Sequence, residues 1–383
     1  MSNAADHPGP PVTGAWRTGD PPGRRQFATL FDARAHVLET GGRLTHVTLA
    51  YETWGQLNPD RSNAVLVLHA LTGDSHAYGP AGPGHSQAGW WETIVGPGRA
   101  IDTDQFFVVC PNVLGGCQGT TGPASTDPST GAPYGSRFPV ITIRDQVVVE
   151  AALADTLGIH QWSGVVGGSM GGQRALEWAV SFPDRVARSV IIACGARATA
   201  EEIALCSLQI RAIQADPAYR GGDYYDATPG DGPWRGMSLA RGIGQVSYRS
   251  EVEFDTRFGA GHQGDEQPLD GGRYAIESYL EYHGEKLAYR FDANTYITLS
   301  RAMNSHDVGR GRGGIGAALA RVSGVVTLGG IATDRLYPLR LQHELAALIP
   351  GAQPVTIVNS LDGHDGFLTE HEAVGTLIRI ALA

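Results

Sequence analysis

One serine in a glycine-rich turn, Ser169, has the surroundings of a nucleophile. It is preceded by Gly167-Gly168 and followed by Met170-Gly171-Gly172. Because an apolar run precedes this turn and a helix-patterned run (173–181) follows it, the sequence predicts a strand, a sharp turn and a helix, with the serine at the apex. The glycines give a strained backbone room, and the helix would point its first amides at the serine oxygen, where negative charge develops. The chemistry indicated is acyl transfer through the hydroxyl.

The serine motif alone is weak, because glycine makes up 52 of the 383 residues. The alternative is a glycine-rich strand–helix turn in some other α/β fold. A phosphate-binding loop is a poorer alternative, because the turn lacks a Gly-Lys-Ser or Gly-Lys-Thr sequence.

An acid and a base stand further along the chain, at positions that suit a catalytic triad. Asp334 follows the predicted strand 324–328, and His364 follows the last predicted strand, 354–358, between two glycines. The order Ser, Asp, His along the chain is that of the α/β-hydrolase fold. We therefore predict that Ser169 is the nucleophile, His364 the base and Asp334 the acid that orients the base. A scaffold protein on this fold usually lacks one triad member, whereas this chain has all three.

Two alternatives compete with parts of this triad. Asp334 could instead cap a helix that begins near Pro338. His69, which closes the predicted strand 64–68, is the rival base, although a histidine there more often shapes the oxyanion loop than takes the proton. In this fold the second oxyanion amide comes from the turn after an early strand. We therefore predict that the backbone N–H groups of Leu71 and Met170 form the oxyanion hole, the alternative being an ordinary turn at residues 69–74.

The elements that must position these residues alternate between strands and helices. Short apolar runs predict strands at 47–51, 64–68, 106–110, 164–166, 190–194, 324–328 and 354–358. Helical patterns outside the longest interval cover 144–157, 173–181, 338–348 and 371–382. This alternation predicts an α/β fold, specifically an α/β-hydrolase fold with a mostly parallel central sheet, helices on both faces and an inserted helical lid.

The interval between the strands at 190–194 and 324–328 is too long for one crossover helix. Helical blocks at 200–214, 238–246 and 294–304 suggest a helical lid over residues 197–317, placed above the serine at the carboxyl edge of the sheet. The hydrolase core is then 26–196 together with 318–383. Residues 1–25 are rich in proline, glycine and charge, and they predict a disordered tail rather than a signal peptide.

Composition and cysteine spacing limit the kinds of molecule that this protein is expected to bind. A net charge of −10 argues against nucleic acid, and no apolar run is long enough to predict a membrane span. The four cysteines form no C-x-x-C pair, so we predict neither a metal site nor a disulfide framework, and a cytoplasmic location is the plain interpretation. The G-x-G-x-x-G match at 309–314 does not follow a strand, so a dinucleotide site is disfavoured. A solvated loop is preferred there over a contact of Arg310 and Arg312 with a CoA phosphate.

Five segments together resemble the homoserine O-acetyltransferases, which are α/β-hydrolase-fold acyltransferases of methionine biosynthesis. The similarity begins near residue 31 and reaches the C-terminus, densest in the core. The segments are His69-Ala70-Leu71-Thr72-Gly73-Asp74, Asn112-Val113-Leu114-Gly115-Gly116-Cys117, the turn 167–172 with Ala175-Leu176-Glu177-Trp178, Asp334-Arg335-Leu336-Tyr337-Pro338-Leu339-Arg340, and Gly363-His364-Asp365-Gly366-Phe367.

The resemblance implies a ping-pong transfer of the acetyl group of acetyl-CoA to L-homoserine through an acyl-serine, with acetyl-CoA as co-substrate and no permanently bound cofactor. It implies that Arg241 holds the homoserine carboxylate, that Tyr248 lies near it, and that Asp365 meets the ammonium. It also implies a homodimer joined through the lid helices. A homoserine succinyltransferase or a serine O-acyltransferase on the same fold remains open, as does, with less support, an esterase. Two stretches depart from the family pattern, the first 25 residues and 205–211, so no roles are carried from them.

Overall fold

The computed structural model describes residues 9–383, and its centre is an eight-stranded sheet. The strands are Gln26–Leu30 (β1), Val47–Trp54 (β2), Ala64–Leu68 (β3), Phe107–Pro111 (β4), Gly164–Gly168 (β5), Arg188–Ile192 (β6), Val325–Ile331 (β7) and Thr356–Val358 (β8). Their spatial order is β1-β2-β4-β3-β5-β6-β7-β8. From β4 to β8 every neighbouring pair is parallel, while β1–β2 and β2–β4 are antiparallel.

The sheet is buried on both faces. In β3 all five residues of Ala-Val-Leu-Val-Leu are buried, and alternate side chains enter different cores. Leu66 packs in the core that holds Val147 of the helix Ile143–Leu157, whereas Val65 and Val67 pack in the core that holds Ile378 of the C-terminal helix. A continuous apolar strand of this kind is the pattern expected of a parallel sheet covered by helices on each side.

Eleven α-helices surround the sheet within residues 9–383. They are Ile143–Leu157 (α1), Met170–Ser181 (α2), Ala200–Ala215 (α3), Trp234–Tyr248 (α4), Glu251–Arg257 (α5), Ala275–Ala288 (α6), Ala293–Asn304 (α7), Ile315–Leu319 (α8), Arg340–Leu348 (α9), Gly366–Thr369 (α10) and His371–Leu382 (α11). Helices α3 to α8 all lie between β6 and β7, in the interval where the sequence predicts a lid. No helix in the described part of the chain is long and apolar enough to cross a bilayer.

Sequence signals account for the ends of the helices that matter most. Thr142 caps α1 through a reciprocal capping box with Asp145, and Gly158 ends the helix in the left-handed region, with φ of 68°. Thr199 caps α3, because its hydroxyl oxygen accepts from the backbone N–H of Glu202. The Thr199 cap fixes where α3 begins, and so which of its side chains face the edge of the sheet.

The predicted disordered tail is wrong for residues 9–25, while residues 1–8 lie outside the described residues. The N–H of Gly14 donates to the carbonyl of Phe291, and the N–H of Trp16 donates to the carbonyl of Cys117. The hydroxyl of Thr13 donates to the carboxylate of Asp292 at 2.8 Å. This stretch is rich in proline and glycine, but it gains backbone hydrogen bonds from the body of the protein, which compensate for the entropy lost on ordering it.

Candidate active site

The turn between β5 and α2 places Ser169 at the edge of the sheet in a strained conformation. Its φ is 60° and its ψ is −127°, values that a residue with a side chain rarely adopts. The glycines around it are required by close packing: a Cβ on Gly171 would lie 2.0 Å from the carbonyl oxygen of Leu68. The sequence therefore folds here into the tight elbow that exposes a nucleophile to a pocket.

The structure brings together the three residues of the predicted triad. Nε2 of His364 lies 2.8 Å from Oγ of Ser169, and Nδ1 lies 2.7 Å from Oδ2 of Asp334. The other oxygen of Asp334 accepts the backbone N–H groups of Leu336 and Tyr337, both at 2.8 Å. These two contacts close a turn that begins at Asp334. Helix α9 begins only at Arg340, with Leu339 as its N-cap and no side-chain cap, so Asp334 does not cap this helix, which was its alternative role.

The surroundings of His364 favour its protonated form. Burial alone would lower the pKa of this imidazole, but the charge and hydrogen bond of Asp334 outweigh burial, and Asp365 and Glu202 add to the effect. The pKa of His364 is therefore raised above its ordinary value. A base with this setting can take the serine proton and hold it as an imidazolium.

Two backbone N–H groups are free beside the serine. Within residues 9–383, neither Leu71 nor Met170 donates its backbone N–H to a hydrogen-bond acceptor, although both residues are buried. Met170 is the first residue of α2, so its N–H lies at the positive end of the helix. These are the two groups that the sequence predicted for the oxyanion hole.

His69 is engaged in a different way from His364. Its Nε2 accepts the backbone N–H of Val113 at 3.0 Å, and its Nδ1–H donates to the carbonyl of Ala70 at 2.8 Å. Burial, and then the positive charge of Arg174, lower the pKa of His69 to about 3. This ring is neutral, has no free nitrogen and orders the loop that carries Leu71.

The serine opens into a small cavity of about 70 Å³ between the sheet edge and the helices inserted after β6. The side facing the sheet includes Leu71, Ser169, Leu336, His364, Asp365 and Phe367, and the inserted helices contribute Glu202, Leu205, Cys206, Gln209, Arg241, Tyr248 and Met303. A larger cavity, about 410 Å³, shares Thr72 with it but does not contain the serine. The small cavity suits a short acyl group.

The residues expected to hold an amino acid lie together at one end of the cavity. The guanidinium of Arg241 lies 5.3 Å from the ring centre of Tyr248. Burial raises the pKa of Asp365, and the charges of Arg241 and Arg249 oppose that rise. Arg249, which the sequence did not single out, forms an ion pair with Asp365 at 3.3 Å. Asp365 is therefore held in place on one side by a cation of the protein itself.

Known proteins are similar to this chain over most of its length. A family model described as alpha/beta hydrolase fold matches residues 63–370. A protein of Thermobifida fusca named homoserine O-acetyltransferase is 58% identical over 97% of both chains. One of Clavibacter michiganensis with the same name is 57% identical over 96% of this chain and 94% of its own length.

The chain belongs to the homoserine O-acetyltransferase family.

Solved structures that share this fold include proteins named for different activities. The homoserine O-acetyltransferase of Bacillus anthracis superposes with a TM-score of 0.85 at 27% identity, covering 94% of this chain and 97% of that one. Esterase E22 superposes with a TM-score of 0.84 at 27% identity, covering 94% and 99%. At this level of likeness the fold of a homoserine O-acetyltransferase and that of an esterase are the same.

A buried carboxylate that the sequence analysis missed also lines the cavity. Glu202, on α3, is completely buried, and its Oε1 accepts from the hydroxyl of Tyr337 at 2.6 Å and from Nε2 of Gln173 at 3.2 Å. Its only sequence signal is a glutamate three residues after Thr199, which reads as an ordinary first-turn acid. The fold, not the local sequence, brings it to the triad.

A second charged cluster, of Glu52, His76 and His85, lies outside the cavity and has the composition of a metal site. Its potential ligand atoms lie within 4.8 Å of one another. Nδ1 of His76 hydrogen-bonds Glu52 at 2.9 Å, and its Nε2 faces the carbonyl of Gly79 at 3.2 Å, so both ring nitrogens donate. Nε2 of His85 accepts the backbone N–H of Arg24. The cluster fits a buried ion pair that supports the loop after β3.

The loop at 309–314 is mostly exposed, as the sequence predicted, but its two arginines are paired with carboxylates of the protein. Arg310 pairs with Glu39 at 2.8 Å, and Arg312 pairs with Glu177 at 2.6 Å. Only 11% of the Arg312 side chain is exposed. Both arginines join the loop to the hydrolase core.

Proposed function

We propose that this protein transfers the acetyl group of acetyl-CoA to the hydroxyl of L-homoserine, giving O-acetyl-L-homoserine and CoA for methionine biosynthesis. The observation that carries the proposal is that a hydrogen-bonded Ser–His–Asp triad and the oppositely charged side chains of Arg241 and Asp365 line one small cavity. Identity of 54–58% to homoserine O-acetyltransferases over nearly the whole chain supports it.

The first half-reaction uses Ser169 and His364. The imidazole takes the proton of the hydroxyl as Oγ attacks the thioester carbonyl, and the oxyanion is stabilised by the N–H groups of Leu71 and Met170. When the C–S bond breaks, the CoA thiolate receives the proton from His364. Asp334 keeps the ring in the tautomer that presents Nε2 to the serine, and stabilises the imidazolium.

The second half-reaction reverses these roles. The homoserine hydroxyl gives its proton to His364 and attacks the acetyl-serine, whose C–O bond then breaks as the proton returns to Ser169. Arg241 holds the substrate carboxylate, with Tyr248 beside it, and Asp365 meets the ammonium. Burial makes such ion pairs necessary, because a desolvated charge without a partner is costly. The small cavity limits water, which would otherwise hydrolyse the acetyl-serine.

We propose further that 197–317 is a lid on a core of 26–196 and 318–383, and that the protein is a cytoplasmic homodimer joined through the lid helices. Leu239 and Val246 of α4 and Tyr282 of α6 are exposed large side chains on this insert. A groove lined by Leu239, Ile243, Val246 and Leu280 gives a second copy an apolar surface to bury. Light scattering should then give twice the chain mass of 40.5 kDa.

One set of assays distinguishes the proposed reaction from reactions with another acyl donor, another acceptor or water. Purified protein is mixed with acetyl-CoA or succinyl-CoA, and with homoserine, serine or no amino acid, and both CoA release and acylated product are measured. The proposal predicts the highest kcat/KM for acetyl-CoA with homoserine. Without an amino acid it predicts a single burst of about one CoA per active site and little release afterwards. Because esterases share this fold, continued rapid turnover of acetyl-CoA with no amino acid would contradict the proposal and favour a hydrolase.

A further inference from the structure

The carboxylate of Glu202 is held by one oxygen only. Its Oε1 accepts from Tyr337 and Gln173, while Oε2 is buried and has no hydrogen-bond partner among residues 9–383. Within the same residues, no arginine, lysine or histidine pairs with it at 4.0 Å or less. A buried carboxylate oxygen without a partner is costly, and its presence beside a reactive serine calls for a functional reason.

The contacts of Glu202 place it against the triad. Gln173 is one turn along α2 from Ser169, because its N–H donates to the serine carbonyl at 2.9 Å. The ring of Tyr337 lies 5.2 Å from the imidazole of His364, centre to centre. Through these two neighbours the glutamate lies close to both the nucleophile and the base.

The ionic end of the cavity is elsewhere. Asp365 is subject to the charges of Arg241, Arg249 and His364, whereas the leading influences on the pKa of Glu202 are burial and then its hydrogen bonds, followed by the charge of His364. If homoserine binds with its charged groups at the Arg241 end, the acyl group on Ser169 faces the rest of the cavity wall. That wall includes Leu205, Cys206, Met303 and Leu336, together with Glu202.

We infer that Glu202 selects the acyl donor, by admitting a neutral acetyl group and excluding acyl chains that end in a carboxylate. This inference rests on the proposed function. A succinyl group on Ser169 would bring a second carboxylate to a wall where that of Glu202 is already unpaired. Arg241, which also lines the cavity, lies against Tyr248 and acts on the carboxylate of Asp365. Like charges brought together in a desolvated site repel each other strongly, which is enough to decide between two donors.

The charge of Glu202 also gives the selectivity a pH dependence. Burial raises the pKa of Glu202 to about 7, so its charged fraction increases between pH 6 and 8. Tyr337, Cys194 and Cys206 face it, and burial raises the pKa of each, so they stay neutral in this range. His364 also titrates, but it serves both donors, and its effect cancels in their ratio.

The test is the ratio of kcat/KM for acetyl-CoA to that for succinyl-CoA, at saturating homoserine, in the wild type, in Glu202→Gln and in Glu201→Gln. The glutamine keeps an oxygen for Tyr337 and Gln173 and replaces the free oxygen with an amide that can donate to a carboxylate. We expect Glu202→Gln to lower the ratio by at least about tenfold. The neighbouring Glu201 is exposed on the same helix, and its variant should leave the ratio unchanged.

An unchanged ratio in Glu202→Gln, or an equal change in Glu201→Gln, would overturn the inference. If the glutamine variant does not fold, the wild type alone decides, because its ratio should rise as the pH rises from 6 to 8. A ratio that stays flat over this range would also overturn it. The proposed function is tested separately by the wild-type reaction with acetyl-CoA and homoserine, whose absence would contradict that function itself.

Discussion

Two buried histidines follow strands of the same sheet, yet their surroundings give them opposite properties. His364 lies between Asp334 and Ser169, and its pKa is raised. His69 lies between a backbone N–H and a backbone carbonyl with Arg174 nearby, and its pKa is lowered to about 3. Burial acts on both in the same direction. The difference comes from the neighbours of each ring. The carboxylate of Asp334 stabilises the protonated form of His364, whereas the charge of Arg174 and the N–H donated to Nε2 destabilise the protonated form of His69.

The largest expected effect is the difference in catalytic activity between substitutions of these two histidines. His364→Gln removes the base, and we expect kcat/KM for acetyl transfer to fall by about 10⁴-fold or more. His69→Gln keeps an acceptor for the N–H of Val113, so we expect a loss of about tenfold or less, through the position of the oxyanion loop. Steady-state kinetics of both variants measure the contrast. Equal losses of kcat/KM in the two variants would contradict the assignment of His364 as the base and of His69 as a structural residue.

The second effect concerns the partner of the base. Asp334→Asn should lower kcat by about 10⁴-fold, because an amide neither fixes the tautomer nor stabilises the imidazolium. Activity requires neutral His364, so the rate falls as the pH drops through its pKa. With the carboxylate gone that pKa falls, and the acid limb of the pH–rate profile should move to lower pH. A limb at the wild-type position would show that another group titrates there.

The third effect tests whether the ionic end of the cavity binds the acceptor and not the donor. Arg241→Ala should raise the KM for homoserine by about 10- to 100-fold, because a desolvated carboxylate loses its charged donor. Acylation by acetyl-CoA, followed as the first-turnover burst of CoA, should change little. Arg235→Ala, an exposed arginine on the same helix, is the matched control. Equal loss of both half-reactions would contradict this role.

The smallest effect is on stability. The folded protein keeps His69 neutral down to about pH 3, while the unfolded chain binds its proton near pH 6.5. Stability due to this residue is therefore present above pH 6.5 and declines as the pH falls toward 3, by up to about 1.4 kcal/mol per pH unit. Urea unfolding of wild type and His69→Gln between pH 7 and pH 5 measures this. The free-energy gap between the two should narrow on acidification, and a constant gap would mean that His69 is not held neutral.

The sequence predicted most of the sheet because its strands are continuously apolar and bounded by clear turns. The strand Ala64–Leu68 and the helix His371–Leu382 have the predicted bounds. The strand Gln26–Leu30 was missed, because it is an edge strand with a mixed burial pattern and little apolar signal. Helix Ala275–Ala288 was missed as well, since its polar and aromatic residues give a weak periodic pattern.

The triad could also be predicted from the sequence, because its residues follow predicted strands. Ser169, Asp334 and His364 each follow a strand at one edge, and the carboxyl ends of parallel strands necessarily meet. Arg249 and Glu202 had no such signal. Glu202 reaches the site from the inserted helix α3 and Arg249 from the residue that follows α4, and no local pattern describes how these segments pack. The ordered contacts of 9–25 were hidden for the same reason, since their partners lie far away in sequence.

The most direct test of the central claim is intact-protein mass spectrometry after brief mixing with acetyl-CoA, before and after homoserine is added. We predict an adduct of one acetyl group on the peptide that contains Ser169, absent in Ser169→Ala, that homoserine discharges into O-acetylhomoserine. Slow build-up of the same adduct in His364→Gln would agree with its role as base. An adduct on another residue, or acetyl transfer that survives in Ser169→Ala, would contradict the account.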